Sequence, residues 1–225
     1  MDIAQTSFYH QAILTLAALV VLASFVMLGQ GRLLRIVFVL ALQGVLLATA
    51  TALAAFITNN PHLYISSAIT VVLKVMLIPI MLRRLVIRMN IHREVEELPN
   101  RTSVLLGGAS LVIFSYYVML PIVHTAQMVM LNAIAVSLAV VLLGMLLMIS
   151  HRNAVAHVAG FMSIENGLFF AAIVSTSGMP MVVELGIAFD VLVAAVLFGV
   201  FFFHIRSSID SLDVDQLNRL SEVEK

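Results

Sequence analysis

Cysteine and tryptophan are absent from the 225 residues, and Asp, Glu, Lys and Arg together make up only 11% of them. Without cysteine the chain has no disulfide, thiolate metal site, iron–sulfur ligand or thiol nucleophile. Any redox chemistry associated with it must sit in another polypeptide. Charge is balanced as well as scarce. Twelve Lys and Arg against twelve Asp and Glu leave no net charge, and so no basic surface to attract nucleic acid. No phosphate-binding loop, metal-spaced histidine pair or nucleophile elbow occurs. The connections and the tail are too short to bury a core of their own, so no soluble catalytic domain is expected.

What fills the chain is hydrocarbon. Apolar residues make up 62% of it and mean hydropathy is +1.10, where soluble domains are roughly 45–50% apolar and about 25% charged. Apolar runs cover 12–28, 33–57, 63–82, 104–123, 128–149, 154–175 and 181–203, divided by breakers such as Asn59-Asn60-Pro61 and Ser177-Gly178-Met179-Pro180. Each run is long enough, at about 1.5 Å per residue, to cross a hydrocarbon core about 30 Å thick. The expectation is an all-α polytopic membrane protein with seven transmembrane helices. The first run reads as a retained helix rather than a signal peptide, because residues 1–10 carry no Lys or Arg and no small-residue cleavage site follows it.

Eleven of the twelve basic residues (Arg32, Arg35, Arg83, Arg84, Arg88, Arg93, Arg101, Arg152, Arg206, Arg219 and Lys225) fall in the first, third and fifth connections or in the tail. By the positive-inside rule this alternation predicts an N-terminus outside and a C-terminus in the cytoplasm. The chain divides into an N-terminal four-helix region (1–125), a three-helix region (126–206) and a cytoplasmic tail (207–225). The stretch 211–220 predicts a short amphipathic helix lying on a partner or at the interface.

The twelfth cation, Lys74, lies about 11 residues into the third span, roughly 16 Å deep. Glu165 on the sixth span and Asp190 on the seventh reach a similar depth. Insertion scales put the cost of an acid or a lysine at a helix centre at about 2.5 to 3.5 kcal/mol each, so the three must pair or meet water. One reading is a structural ion pair that holds helices together. The other is a proton or ion relay, for which two acids against one lysine leave a titratable excess. Gln43, Asn166, His157 and Glu184 are candidate extensions of this layer. His62, His124 and His151 read as loop residues, and Pro79 predicts a kink in the third span that frees a backbone carbonyl. Seven spans without a discontinuous glycine-rich pair argue against a self-contained transporter.

His151-Arg152-Asn153, Gly160, Glu165-Asn166, Asp190 and the Leu212-Asp213-Val214-Asp215 tail make the last three spans similar to the K subunit of respiratory complex I and the C subunit of multisubunit Na⁺/H⁺ antiporters. The acid stands five residues after Gly160, where those K subunits place it two after the glycine. Over nearly its whole length the chain resembles the hydrogenase-4 component E family, through Ala68-Ile69-Thr70-Val71-Val72-Leu73-Lys74 with Pro79, Glu165-Asn166-Gly167, and Glu184 through Asp190. That resemblance implies a non-catalytic subunit of the prokaryotic inner membrane within a complex I-like group 4 nickel–iron hydrogenase or formate hydrogenlyase. Lys74, Glu165 and Asp190 would serve translocation of protons or Na⁺. It also implies no cofactor in this chain, antiporter-like membrane subunits as neighbours, and a nickel–iron centre and iron–sulfur clusters in a partner redox module. The alternative is a structural adaptor in such a hydrogenase or antiporter complex, with no direct part in ion transfer.

Overall fold

The computed structural model describes residues 3–59, 61–88, 100–120, 128–175 and 185–200. Its elements are α1 (Ile3–Leu28), α2 (Leu33–Thr58), α3 (Pro61–Thr70), a π-helical segment (Val71–Leu77), α4 (Ile78–Arg88), α5 (Arg101–Met119), α6 (Met128–Ser150), α7 (Ala154–Ser175) and α8 (Leu185–Val200). No extended strand occurs among the described residues. Six helices are long and apolar enough to cross a membrane, with α3, the π segment and α4 joined as one span, Pro61–Ile87. They overlap the first six predicted runs, with the third extending five residues further, to Ile87, and the fourth beginning three residues earlier, at Arg101. The described part of the seventh run is the shorter apolar helix α8, and the remainder lies outside the described residues.

The helix ends follow local chemistry. Asn59 closes α2 at φ 52°, donating its N–H to the Ala55 carbonyl, and Pro61 opens α3 two residues later. At the start of α7 the Asn153 side chain accepts the Val155 N–H at 2.8 Å, an N-cap bond. In the third span the bond pattern changes. Ile78 N–H reaches back five residues to the Leu73 carbonyl. The next bond in that register, from position 79 to the Lys74 carbonyl, has no donor because Pro79 lacks an N–H. The sequence predicted a kink here. The observed response is a widened π turn carrying Lys74, a geometry found often at functional positions.

Helices α6 and α7 pack backbone to backbone. A Cβ on Gly144 would stand 2.8 Å from the Gly160 carbonyl oxygen, and one on Gly160 would stand 2.9 Å from that of Gly144. Seven residues along each helix, Gly167 faces the Ser137 carbonyl in the same antiparallel register, where a Cβ would come within 3.0 Å. Small residues at this spacing permit the close contact that drives helix association in lipid. By contrast α5 is peripheral, with only Gly108 and Ser115 buried.

Two separate apolar cores result. One gathers Met27, Ile36, Leu40, Leu82, Leu147 and Leu197 with their neighbours. The other gathers Ile13, Leu47, Ala54, Leu63, Phe170 and Ile173 with theirs. On α2, the third span and α7, the residues between the two cores include buried polar ones: Gln43, Lys74, and the group Ser163, Glu165 and Asn166; on α1 the buried Ser24 follows Ala23 at the edge of the first core. Asp190 on α8 joins the same layer.

Candidate functional site

Gly44 positions the centre of the layer. A Cβ on it would stand 3.1 Å from Lys74 Cβ and 3.2 Å from the Lys74 backbone, so glycine here lets α2 lie close against the π turn, and a larger residue would push the two apart by a few tenths of an ångström. Lys74 is 3% exposed and its ammonium turns into the protein. Its Nζ pairs with Glu165 Oε2, donates to Asn166 Oδ1 at 2.8 Å, and stands 3.5 Å from Asp190 Oδ1. It also lies 5.2 Å from the centre of the Phe169 ring, within the range of a cation–π contact. The three charges expected at one depth are therefore one cluster, contributed by three spans.

From Lys74 the hydrogen bonds continue through neutral groups. Asn166 Nδ2 approaches Gln43 Oε1 at 3.4 Å. Gln43 Nε2 donates to Ser24 Oγ at 2.6 Å and to Ser163 Oγ at 3.3 Å. Ser24 in turn donates to the Val20 carbonyl at 3.0 Å. A connected polar line thus runs from α1 through α2, the π segment and α7 to α8. Its acidic end is less complete. Glu165 Oε1 and both oxygens of Asp190 are buried without a hydrogen-bond partner among the described residues. Glu165 also walls a cavity of about 250 Å³ between α7 and α8, lined otherwise by Phe161, Leu168, Phe169, Leu185, Phe189 and their neighbours.

The candidate extensions fare differently. Gln43 and Asn166 are in the line. His157 bonds elsewhere, its Nδ1 donating to the Asn153 carbonyl at 2.9 Å at the beginning of α7. Glu184 and the tail lie outside the described residues. His151, read from sequence as a loop residue, is 3% exposed. Its Nδ1 lies 3.1 Å from the Leu147 carbonyl and 2.9 Å from Ser150 Oγ, and burial holds its imidazole below the usual histidine range. Sequence reasoning missed Ser24 and Ser163. Single serines are common in membrane helices, and only their shared depth with Gln43 and Glu165 marks them.

Among the described residues no group of three or more His, Asp or Glu side chains is placed to hold a metal ion. Two carboxylates beside one ammonium in an apolar surround can accept and hold a proton, and the two amides and two hydroxyls can fix their positions.

The fold and this layer define a multi-pass helical membrane protein with a charged centre. The chain is 32% identical over 203 residues to the uncharacterized protein Rv0085 of Mycobacterium tuberculosis, covering 90% of this chain and 92% of that one. It belongs to that protein's family. It is also 28% identical over 182 residues to hydrogenase-4 component E of Escherichia coli K12, covering 80% and 83% of the two chains, and matches the Shigella flexneri protein of the same name equally. No family model matches the sequence, and no solved structure matches it.

Proposed function

We propose that this chain is a membrane-arm subunit of a complex I-like hydrogenase assembly, in which Lys74, Glu165 and Asp190 take up and hand on protons at mid-membrane while Gln43 and Asn166 hold the cluster in place. The similarity to hydrogenase-4 component E supports the setting. The observation that carries the mechanism is the unequal acidic end, where two buried carboxylates share one ammonium and three of their oxygens have no hydrogen-bond partner among the described residues. Such a site has acceptor capacity in reserve, which a proton or water satisfies. The redox module, with its nickel–iron centre and clusters, belongs to partner subunits, and this chain performs no redox step itself. Coupling is electrostatic. A unit charge about 7 Å away acts with about 2 kcal/mol at an effective dielectric of about 20, enough to change a proton's occupancy more than tenfold.

The test is Glu165→Gln in the assembled complex. The subunit remains incorporated, because the amide keeps an oxygen for Lys74, while proton pumping falls. Wild-type pumping by this variant overturns the role assigned to Glu165. A structural adaptor is the second reading, favoured by Lys74 tying α7 through both Glu165 and Asn166. Under it, neutralising Lys74 together with one acid preserves both assembly and transport.

A further inference from the structure

A second groove, of about 340 Å³, lies on the outer side of the third span against α8. Its walls are Val72, Met76 and Leu77 of the π segment, Ile80 and Met81 of α4, and Phe198, and its single charged residue is Arg84. Val72, Met76, Ile80 and Phe198 are exposed along it. From Val72 to Arg84 is about 18 Å of helix at about 1.5 Å per residue, the depth of one leaflet of a hydrocarbon core about 30 Å thick. The inner end is level with Lys74, whose side chain occupies the opposite face of the same π turn. At the outer end Arg83 and Arg84 are both exposed. Among the described residues the only acids are Glu165 and Asp190, and both belong to the buried layer, so neither competes for these guanidiniums.

We infer that this groove seats one acyl chain of an anionic phospholipid, with the phosphate held at Arg84, from the leaflet on the arginine-bearing side. Charge selects the lipid: a guanidinium at the polar end of a one-leaflet apolar groove attracts a headgroup of net negative charge over a zwitterionic one. The chain itself rests on Val72, Met76 and Leu77, against the widened turn that holds Lys74. This inference does not depend on the proton-carrying reading, and its test uses no transport measurement.

The purified full chain is equilibrated in detergent with equal amounts of phosphatidylglycerol and phosphatidylcholine of the same acyl length, and retained lipid is read by native mass spectrometry. The wild type retains phosphatidylglycerol about fivefold over phosphatidylcholine, the ratio that one arginine near an anionic surface supplies. Arg84→Gln brings that ratio to about one, a loss of that same single attraction. Ile80→Trp fills the groove without altering charge and removes the retained lipid. Excess glycerol phosphate, which has the headgroup chemistry but no chain, displaces nothing. Four results would each overturn the inference: equal retention of the two lipids by the wild type, a preference that survives Arg84→Gln, retention that survives Ile80→Trp, or displacement by glycerol phosphate. A native complex that carries no lipid here because a partner helix fills the groove would overturn it as well.

Discussion

At one end of the buried layer Ser24, Gln43, Ser163 and Asn166 satisfy one another through neutral donors and acceptors. At the other end Glu165 and Asp190 present more acceptor oxygens than Lys74 has protons to fill. Both ends lie between the same two apolar cores, so burial alone does not explain the difference. The neutral end is complete without water and fixes the relative positions of α1, α2 and α7. The acidic end lies beside a cavity between α7 and α8. A closed hydrogen-bond set gives rigidity, while an incomplete one leaves room for a proton to enter or leave.

The comparison breaks most completely at the residue that joins the two ends. Lys74→Met leaves two carboxylates facing each other without a cation, a loss of about 3–5 kcal/mol for a buried pair stripped of one partner. The folded fraction recovered in mild detergent should fall sharply, and adding Glu165→Gln and Asp190→Asn to the same chain should restore much of it. The two ends then separate in a paired measurement. Gln43→Leu orphans Asn166 Nδ2 and removes the donor to Ser24 and Ser163, so thermal unfolding should report a loss of about 1–3 kcal/mol. Asp190→Asn breaks no hydrogen bond and leaves Lys74 paired with Glu165, so its unfolding temperature should fall by less than that of Gln43→Leu. Equal destabilisation by the two would erase the distinction between the ends.

Smaller effects provide a control, because the connection between α6 and α7 sets the height of a helix that serves both ends. Asn153→Ala removes the cap on Val155 and should lower stability by about 1 kcal/mol. His151 should make stability depend on pH. Its folded-state pKa lies below the unfolded value, so its contribution is complete above about pH 6.5 and is lost as pH falls through the lowered folded value. His151→Gln should flatten that slope in melts taken at successive pH values. Neither substitution should change the ratio of the Gln43→Leu and Asp190→Asn effects.

Lys74, Glu165 and Asp190 were legible in the sequence because a charge inside an apolar run is costly unless it pairs or meets water, and counting residues from the span ends gave their common depth. Gln43 and Asn166 were legible for the same reason, with less force. Ser24 was not, since a serine hydroxyl can bond to its own helix, as Ser24 does at Val20. The π turn was half legible: Pro79 announced a missing donor, while the same missing donor suits a simple kink or the widened turn observed. His157 lies eight residues from Glu165 on the same helix, and its Nδ1 donates to the Asn153 carbonyl one turn back. His151 does lie in the connection between α6 and α7, as the sequence suggested, and what the sequence did not show is that it is buried there beside the Leu147 carbonyl.

The most direct test of the account is the number of protons moved per electron pair by the assembled complex in sealed vesicles when Asp190 is replaced by Asn. The account predicts hydrogenase turnover with fewer protons delivered per pair than in the wild type. An unchanged ratio, with the variant subunit present in the complex, would contradict it.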